Sequence, residues 1–173
     1  PICLNRSTRI IQFLSPLQKT YLATLELGSE TDTQDATGRK ISTKDPSLIN
    51  QSSVKQALRT FIGEQDQIPP MYSALKVNGK RLYKLAREGK VIERQPRKIT
   101  INEIELLENN IDSLKIRVKC GRGTYIRVLA SDIANTMDTV GFLKSLVRTQ
   151  VGEFRQEDSI LVENVAEWLS ATA

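Results

Sequence analysis

The sequence predicts one globular domain that combines strands and helices, and three observations lead there. Its 173 residues suit a single domain with a core of its own. Apolar residues make up 39% and charged residues 26%, a balance that favours folding over disorder. Within residues 114–133, LKIRVKCGRGTYIRVLASDI, the apolar period changes from that of a strand to that of a helix.

That stretch organises the rest. Leu114, Ile116, Val118 and Cys120 alternate with Lys115, Arg117 and Lys119, as in a half-buried strand. Gly121 and Gly123 break it. Ile126, Leu129, Ala130, Ile133, Ala134 and Met137 then recur at helical spacing, with Thr124, Tyr125 and Arg127 expected on the first turn. An aromatic, a guanidinium and free helix amides at a sheet end could hold an anion or a planar ring. A capping or surface pair is the more ordinary account of a Tyr and an Arg at a helix start.

In chain order, residues 1–4 form an apolar run that reads as the interior of a strand, as though the beginning lay upstream. Residues 5–14 predict a short helix, with Ser7 and Thr8 as cap candidates. Residues 19–28 predict a strand with Tyr21, Ala23, Leu25 and Leu27 on one face. The Tyr21 ring could project past the core or pack at the strand end. Residues 31–38, TDTQDATG, are turn formers, and Asp32 and Asp35 lack the remaining ligands of a calcium loop. Residues 39–41 return as a strand, 45–53 form a polar linker, and 53–61 predict a helix with Val54, Ala57, Leu58 and Phe61 inward.

Residues 67–90 read as an excursion. A proline pair opens it, Asn78-Gly79 signals a tight turn, and a short amphipathic helix over 80–88 ends at Gly89. Tyr72 and Tyr83 interleave with Lys76, Lys80, Arg81, Lys84 and Arg87. Aromatics of this kind stack on unpaired bases while cations hold phosphates. Residues 95–107 predict a long strand whose apolar phase shifts at Asn102–Glu103, the mark of a bulge. Residues 142–151 hold Leu143, Leu146, Val147 and Val151 with Lys144 and Arg148, and 161–169 predict a last helix near Trp168.

The net charge of +5 is concentrated. Nine Lys and Arg lie between Lys76 and Lys98 against Glu88 and Glu93, so that segment carries +7 and the remainder −2. A polyanion partner is expected, against the plainer alternative of a solvated basic face. Cys3 and Cys120 are too few for a disulfide scaffold or zinc cluster, and a reducing, intracellular setting is expected. With no histidine, these residues cannot supply a histidine base or metal site. No apolar run is long enough to span a membrane, and no membrane partner is expected.

Four blocks resemble the bacterial TruB family, the tRNA pseudouridine-55 synthases: KTYLATLELGSETDTQDATG (19–38), QIPPMYSALKVNGKRLYKLAREG (67–89), GRGTYIRVLASDI (121–133) and FLKSLVRTQVGEF (142–154). The resemblance implies an α+β fold, a mixed, mainly antiparallel sheet flanked by helices. It makes residues 1–173 a catalytic domain incomplete at its N-terminus, with 67–90 as a thumb that closes on the tRNA T arm. The implied reaction isomerises a flipped-out uridine to pseudouridine, with no metal and no organic cofactor. The implied setting is a monomer in the cytoplasm or an organellar matrix.

The family's nucleophilic aspartate lies in a G-x-x-D-P-x-A-x-G-x-L stretch ahead of the residues that match 1–4, and that stretch is absent here. Asp32 and Asp35 match a turn instead, so no residue of this chain is assigned as nucleophile. A C-terminal RNA-binding extension common in the family is likewise not found after Ala173. By resemblance, Tyr21 stacks on the target base, Arg127 pairs with the catalytic aspartate, Leu146 is an apolar wall and Tyr125 supports the pocket. Arg148 remains a candidate RNA contact, while Val147 stands where many members carry a second Arg. The alternative is an inactive RNA-binding module or tRNA chaperone; a structural RNA protein would explain the charge but not the TYIR pocket.

Overall fold

The computed structural model describes residues 1–14, 16–47, 49–77 and 79–171. A 3₁₀ turn, Asn5–Ile10, runs into α1 (Ile11–Leu14) and is followed by β1 (Lys19–Leu27), β2 (Ser29–Thr31), β3 (Lys40–Thr43) and α2 (Gln51–Thr60). Next come β4 (Gly63–Gln67), β5 (Lys76–Val77), β6 (Lys80–Arg81), α3 (Leu82–Arg87), β7 (Arg97–Asn109) and β8 (Ser113–Cys120). The chain continues through α4 (Ile126–Thr136), β9 (Gly141–Val151), β10 (Phe154–Arg155), a second 3₁₀ turn (Val162–Asn164) and α5 (Val165–Ala171).

Six strands form the central sheet in the order β10-β9-β1-β8-β7-β4, each pair antiparallel. The α+β class with a mainly antiparallel sheet is borne out. A parallel bridge, Asp35 to Leu143, docks the loop after β2 onto β9.

The alternation of β8 decides which face is covered. Leu114, Ile116, Val118 and Cys120 are all 0% exposed and join Ala23, Leu25, Ile99 and Ile101 in one core. Val54 and Leu58 of α2 and Ile126, Leu129, Ala130, Ile133 and Ala134 of α4 close over them. Each large aliphatic side chain buried this way contributes about 1.5–3 kcal/mol. On the other face Lys115 pairs with Glu108 at 2.6 Å and Arg117 with Glu105, exposed ion pairs of small net effect. Gly141 lets β9 approach α4 closely, because an added Cβ would lie 2.7 Å from the Ala134 Cβ and 2.8 Å from the Glu26 carbonyl.

Several expectations are corrected. Residues 1–4 form no strand, and Ile2 is 84% exposed. Residues 5–10 are 3₁₀ rather than α, and neither Ser7 nor Thr8 is the cap: Leu4 is, and the Thr8 hydroxyl donates back to the Asn5 carbonyl at 2.7 Å. The helix expected over 53–61 starts earlier because Asn50 and Ser53 cap it reciprocally. The strand β4 has no apolar alternation, being an edge strand with Glu64 and Asp66 outward. The bulge in β7 lies where the phase shift put it, between Ile101 and Glu103. Asn78 of the expected tight turn lies outside the described residues, but β5 and β6 pair on either side of it, Val77 opposite Lys80, and Gly79 has φ +78°.

Candidate active site

The site is built where β1 and β9 meet the turn between β8 and α4. Along β1, Tyr21 stands opposite Val118 on one side and Arg148 on the other, at the edge of the core. Burial pushes the Tyr21 phenol above its ordinary value and the neighbouring Cys120 thiol adds to this, while the Arg148 guanidinium draws it partly back. Tyr21 is therefore a neutral phenol at pH 7, able to donate a hydrogen bond and to present an uncharged ring.

The turn after β8 is longer than expected, running from Gly121 to Tyr125. Gly123 takes φ +87°, and Tyr125 is the extended N-cap of α4 rather than part of its first turn, with Thr124 before it. The Tyr125 amide is not free: it donates to the Gln67 side-chain oxygen at 2.8 Å. Ile126 and Leu129 go into the core, which turns Arg127 away from it. The guanidinium donates from Nη1 to Asp35 Oδ2 at 2.9 Å and from Nη2 to the Tyr72 carbonyl at 3.0 Å.

The sequence marks Asp35 only as part of a turn. The structure makes it the partner of Arg127, with the two side chains 24% and 25% exposed. The parallel bridge holds it there, Ala36 donating to the Leu143 carbonyl at 3.1 Å and Leu143 to that of Gln34 at 3.0 Å. Its Oδ1 accepts from the Thr33 hydroxyl at 2.8 Å, the Thr37 hydroxyl at 2.6 Å and the Thr37 amide at 3.1 Å. Burial alone would raise its pKa; the hydrogen bonds from Thr37 and Thr33 and the charge of Arg127 outweigh it and hold the carboxyl below its ordinary 3.8. No local pattern in TDTQDATG marks one of its two aspartates as this partner.

A depressed folded pKa stabilises the fold above the unfolded value and loses that contribution as pH falls through the folded one. The stability advantage of the native chain over Asp35→Asn is thus expected to be full at pH 7 and to shrink below about pH 3.8. Urea midpoints of both chains at pH 7 and pH 3 measure it, and an advantage equal at both pH values would contradict the charge pairing.

Tyr21, Tyr125, Arg127 and Leu146 line one cavity of about 400 Å³, together with Asp35, Thr124 and Leu143. The sequence-derived pocket residues are therefore brought together. A second cavity of about 360 Å³ lies on the far side of Arg127 and Asp35, against Tyr72 and Arg87. A third, about 480 Å³, is lined by Lys76, Lys80, Arg81, Tyr83 and Lys84. The cations of residues 67–90 thus divide between the pocket rim and the β5–β6 hairpin, and Arg87 also lies 5.5 Å from the centre of the Tyr83 ring, covering one of its faces. Arg148 stands apart from both, beside Tyr21. A larger cavity, about 560 Å³, contains none of the four pocket residues, and its Arg117 and Arg155 are already paired with Glu105 and Glu157. Among the described residues no three Cys, Asp or Glu side chains converge as metal ligands, and no helix is long and apolar enough to cross a membrane.

The description "TruB family pseudouridylate synthase (N terminal domain)" matches residues 1–126. The chain belongs to the TruB family. Two TruB proteins named tRNA pseudouridine synthase B, from Francisella philomiragia subsp. philomiragia and Francisella tularensis subsp. novicida, are each 52% identical to it, over 166 and 167 residues. Each match covers 95% of this chain and 55% of the relative, so the chain spans about half the length of the curated relatives it matches. Among solved structures, a chain of a Cbf5-Nop10-Gar1 complex superposes with a TM-score of 0.70 at 25% identity, over 96% of this chain and 40% of that one. A chain from an H/ACA RNP bound to a substrate RNA containing 2'-deoxyuridine shares the fold, with a TM-score of 0.63 at 21% identity over 98% of this chain and 41% of that one. The TruB membership expected from the four blocks is thereby shown.

Proposed function

We propose that the protein containing this chain isomerises a uridine of the tRNA T arm, U55, to pseudouridine, and that this chain supplies its base pocket and flap. One observation carries the reading: Tyr21, Tyr125, Arg127 and Leu146, drawn from three separate parts of the sequence, line a single cavity whose far wall joins the cationic flap. Its size and its mixed aromatic, aliphatic and cationic lining suit one flipped pyrimidine.

The roles follow from the side chains. Tyr21 stacks on the base and, as a neutral phenol, can relay a proton to or from it. Arg127 presents a fixed guanidinium to the nucleophilic carboxylate, keeping it charged and aimed. Leu146 walls the ring, and Tyr125 supports the pocket from the helix start. Isomerisation breaks the N1–C1′ bond, forms a C5–C1′ bond, releases the C5 proton and leaves a proton on N1, so the atoms balance without an external reagent. Covalent attack by a carboxylate suits a chain without histidine. The nucleophile itself belongs to a G-x-x-D-P segment outside these 173 residues. The flap, residues 67–90, holds the T-arm backbone through Lys76, Lys80, Arg81, Lys84 and Arg87, with Tyr72 at the pocket rim. The protein acts as a monomer in the cytoplasm or an organellar matrix.

The chain alone is expected to bind a T-arm hairpin weakly and without turnover. With about three to four phosphates neutralised, affinity should fall at least tenfold between 50 and 200 mM salt, by counterion release. Fluorescence anisotropy at several salt concentrations measures this; affinity insensitive to salt would contradict phosphate contacts. Turnover by the 173-residue chain would refute the missing nucleophile. A longer protein that binds equally well but never turns over would instead be the RNA-binding module.

A further inference from the structure

Gln67 is the last residue of β4, 5% exposed, and stands immediately before the residues that open the flap. Its side chain does what a neighbouring strand would do. Nε2 donates to the Tyr125 carbonyl at 3.2 Å and Oε1 accepts from the Tyr125 amide at 2.8 Å, across 58 residues of sequence. Tyr125 needs this, because it caps α4 without any side-chain cap of its own. Two residues further, Arg127 reaches back to the Tyr72 carbonyl on the flap. Gln67, Tyr125, Arg127 and Tyr72 thus close a ring of covalent and hydrogen-bonded links that ties the flap root to the pocket. Within such a ring the aim of the guanidinium and the position of the flap root cannot change independently.

We infer that Gln67 is a positioning residue: by holding both main-chain groups of Tyr125 it fixes the start of α4 and with it the aim of Arg127 at Asp35 and the flap. This deepens the reading proposed above and rests on it for its catalytic consequence. A primary amide suits the task, since it offers a donor and an acceptor on separate adjacent atoms without charge. Gln67→Met keeps the volume and removes both bonds; Gln67→Glu keeps the acceptor and loses the donor.

The structural arm uses this chain and the nitrogen resonances of the Arg127 guanidinium. Held by two acceptors, it rotates slowly and gives separate Nη signals. In Gln67→Met these are expected to merge and the thermal midpoint to fall, because both main-chain groups of Tyr125 lose their partner; should that variant not fold, Gln67→Glu, which loses the donor alone, is expected to broaden the same signals. Separate Nη signals retained in the variant overturn the inference, whatever the midpoint does. The kinetic arm uses a longer protein carrying the nucleophile segment, with a T-arm hairpin as substrate. Loss of at least tenfold in kcat with KM within twofold is expected, and a raised KM with kcat unchanged overturns the positioning role. If the unsubstituted longer protein shows no turnover, the proposed function fails, and the guanidinium signals still decide the role of Gln67.

Discussion

Arg127→Ala is expected to lower turnover on a T-arm hairpin by roughly 10²–10³, the scale of losing one fixed charge-stabilising donor from an enclosed site. The measurement is release of tritium from C5-labelled target uridine by a longer protein that carries the nucleophile segment. Three effects act together. In the proposed role, the attacking carboxylate loses the guanidinium that aims it and favours its charged form. Asp35 loses the guanidinium on its Oδ2 and keeps only the Thr33 and Thr37 donors on Oδ1. The flap loses its link through the Tyr72 carbonyl. Arg127→Lys is expected to recover little. One ammonium on a flexible stem cannot reproduce a planar fork that reaches two acceptors from different segments. Near-native turnover in the Lys variant would show that charge alone suffices and that the two hydrogen bonds are incidental.

Leu129→Ala is expected to cost about 2–5 kcal/mol of stability, the range for deleting a fully buried leucine side chain. Leu129 is 1% exposed and sits in the middle of the α4 stripe, in the same core as Ile116, Val118 and Ala23 of the sheet. Nothing solvated can move in to fill the space. At a slope of about 1–3 kcal/mol per molar urea, the unfolding midpoint should fall by about 1 M or more. Circular dichroism against urea measures it. A cost below 1 kcal/mol would mean that α4 is not anchored as described, and with it Arg127.

The parts of the fold that were legible in the sequence are those where one physical pattern dominates. In β8, full burial on one face and charge on the other leave a clean alternation, and in α4 the stripe from Ile126 to Ala134 is equally plain. Where two constraints overlap, the pattern fails. The strand β9 shows no clear period because its register against β1 slips twice, at Thr20/Tyr21 and at Thr24/Leu25, so residues inward of one slip lie out of phase with those beyond it. The edge strand β4 has one paired side and two exposed carboxylates, which leaves no apolar signal at all.

The site divides in the same way. Tyr125 and Arg127 stand out at the strand–turn–helix junction and Tyr21 on its strand, Leu146 is marked by the block that matches the TruB family, and the structure collects all four in one cavity. What holds them was not legible. Asp35 reaches Arg127 through 92 positions of sequence, and Gln67 reaches Tyr125 through 58. Both are polar residues in polar stretches, and only the three-dimensional arrangement distinguishes them from Asp32 or Gln65. The extended N-cap at Tyr125 was missed for a related reason. Its cap comes from Gln67 rather than from a local Ser, Thr or Asp, so no start signal stands beside it.

The most direct test of the pocket is the fluorine resonance of a T-arm hairpin with 5-fluorouridine at the target position, titrated with this chain. That resonance is expected to shift and broaden as the ring enters the cavity between Tyr21 and Leu146, while the same label on a paired stem uridine stays put and Tyr21→Ala abolishes the shift. Equal shifts at both labels, or a shift that survives Tyr21→Ala unchanged, would contradict a base pocket at this place.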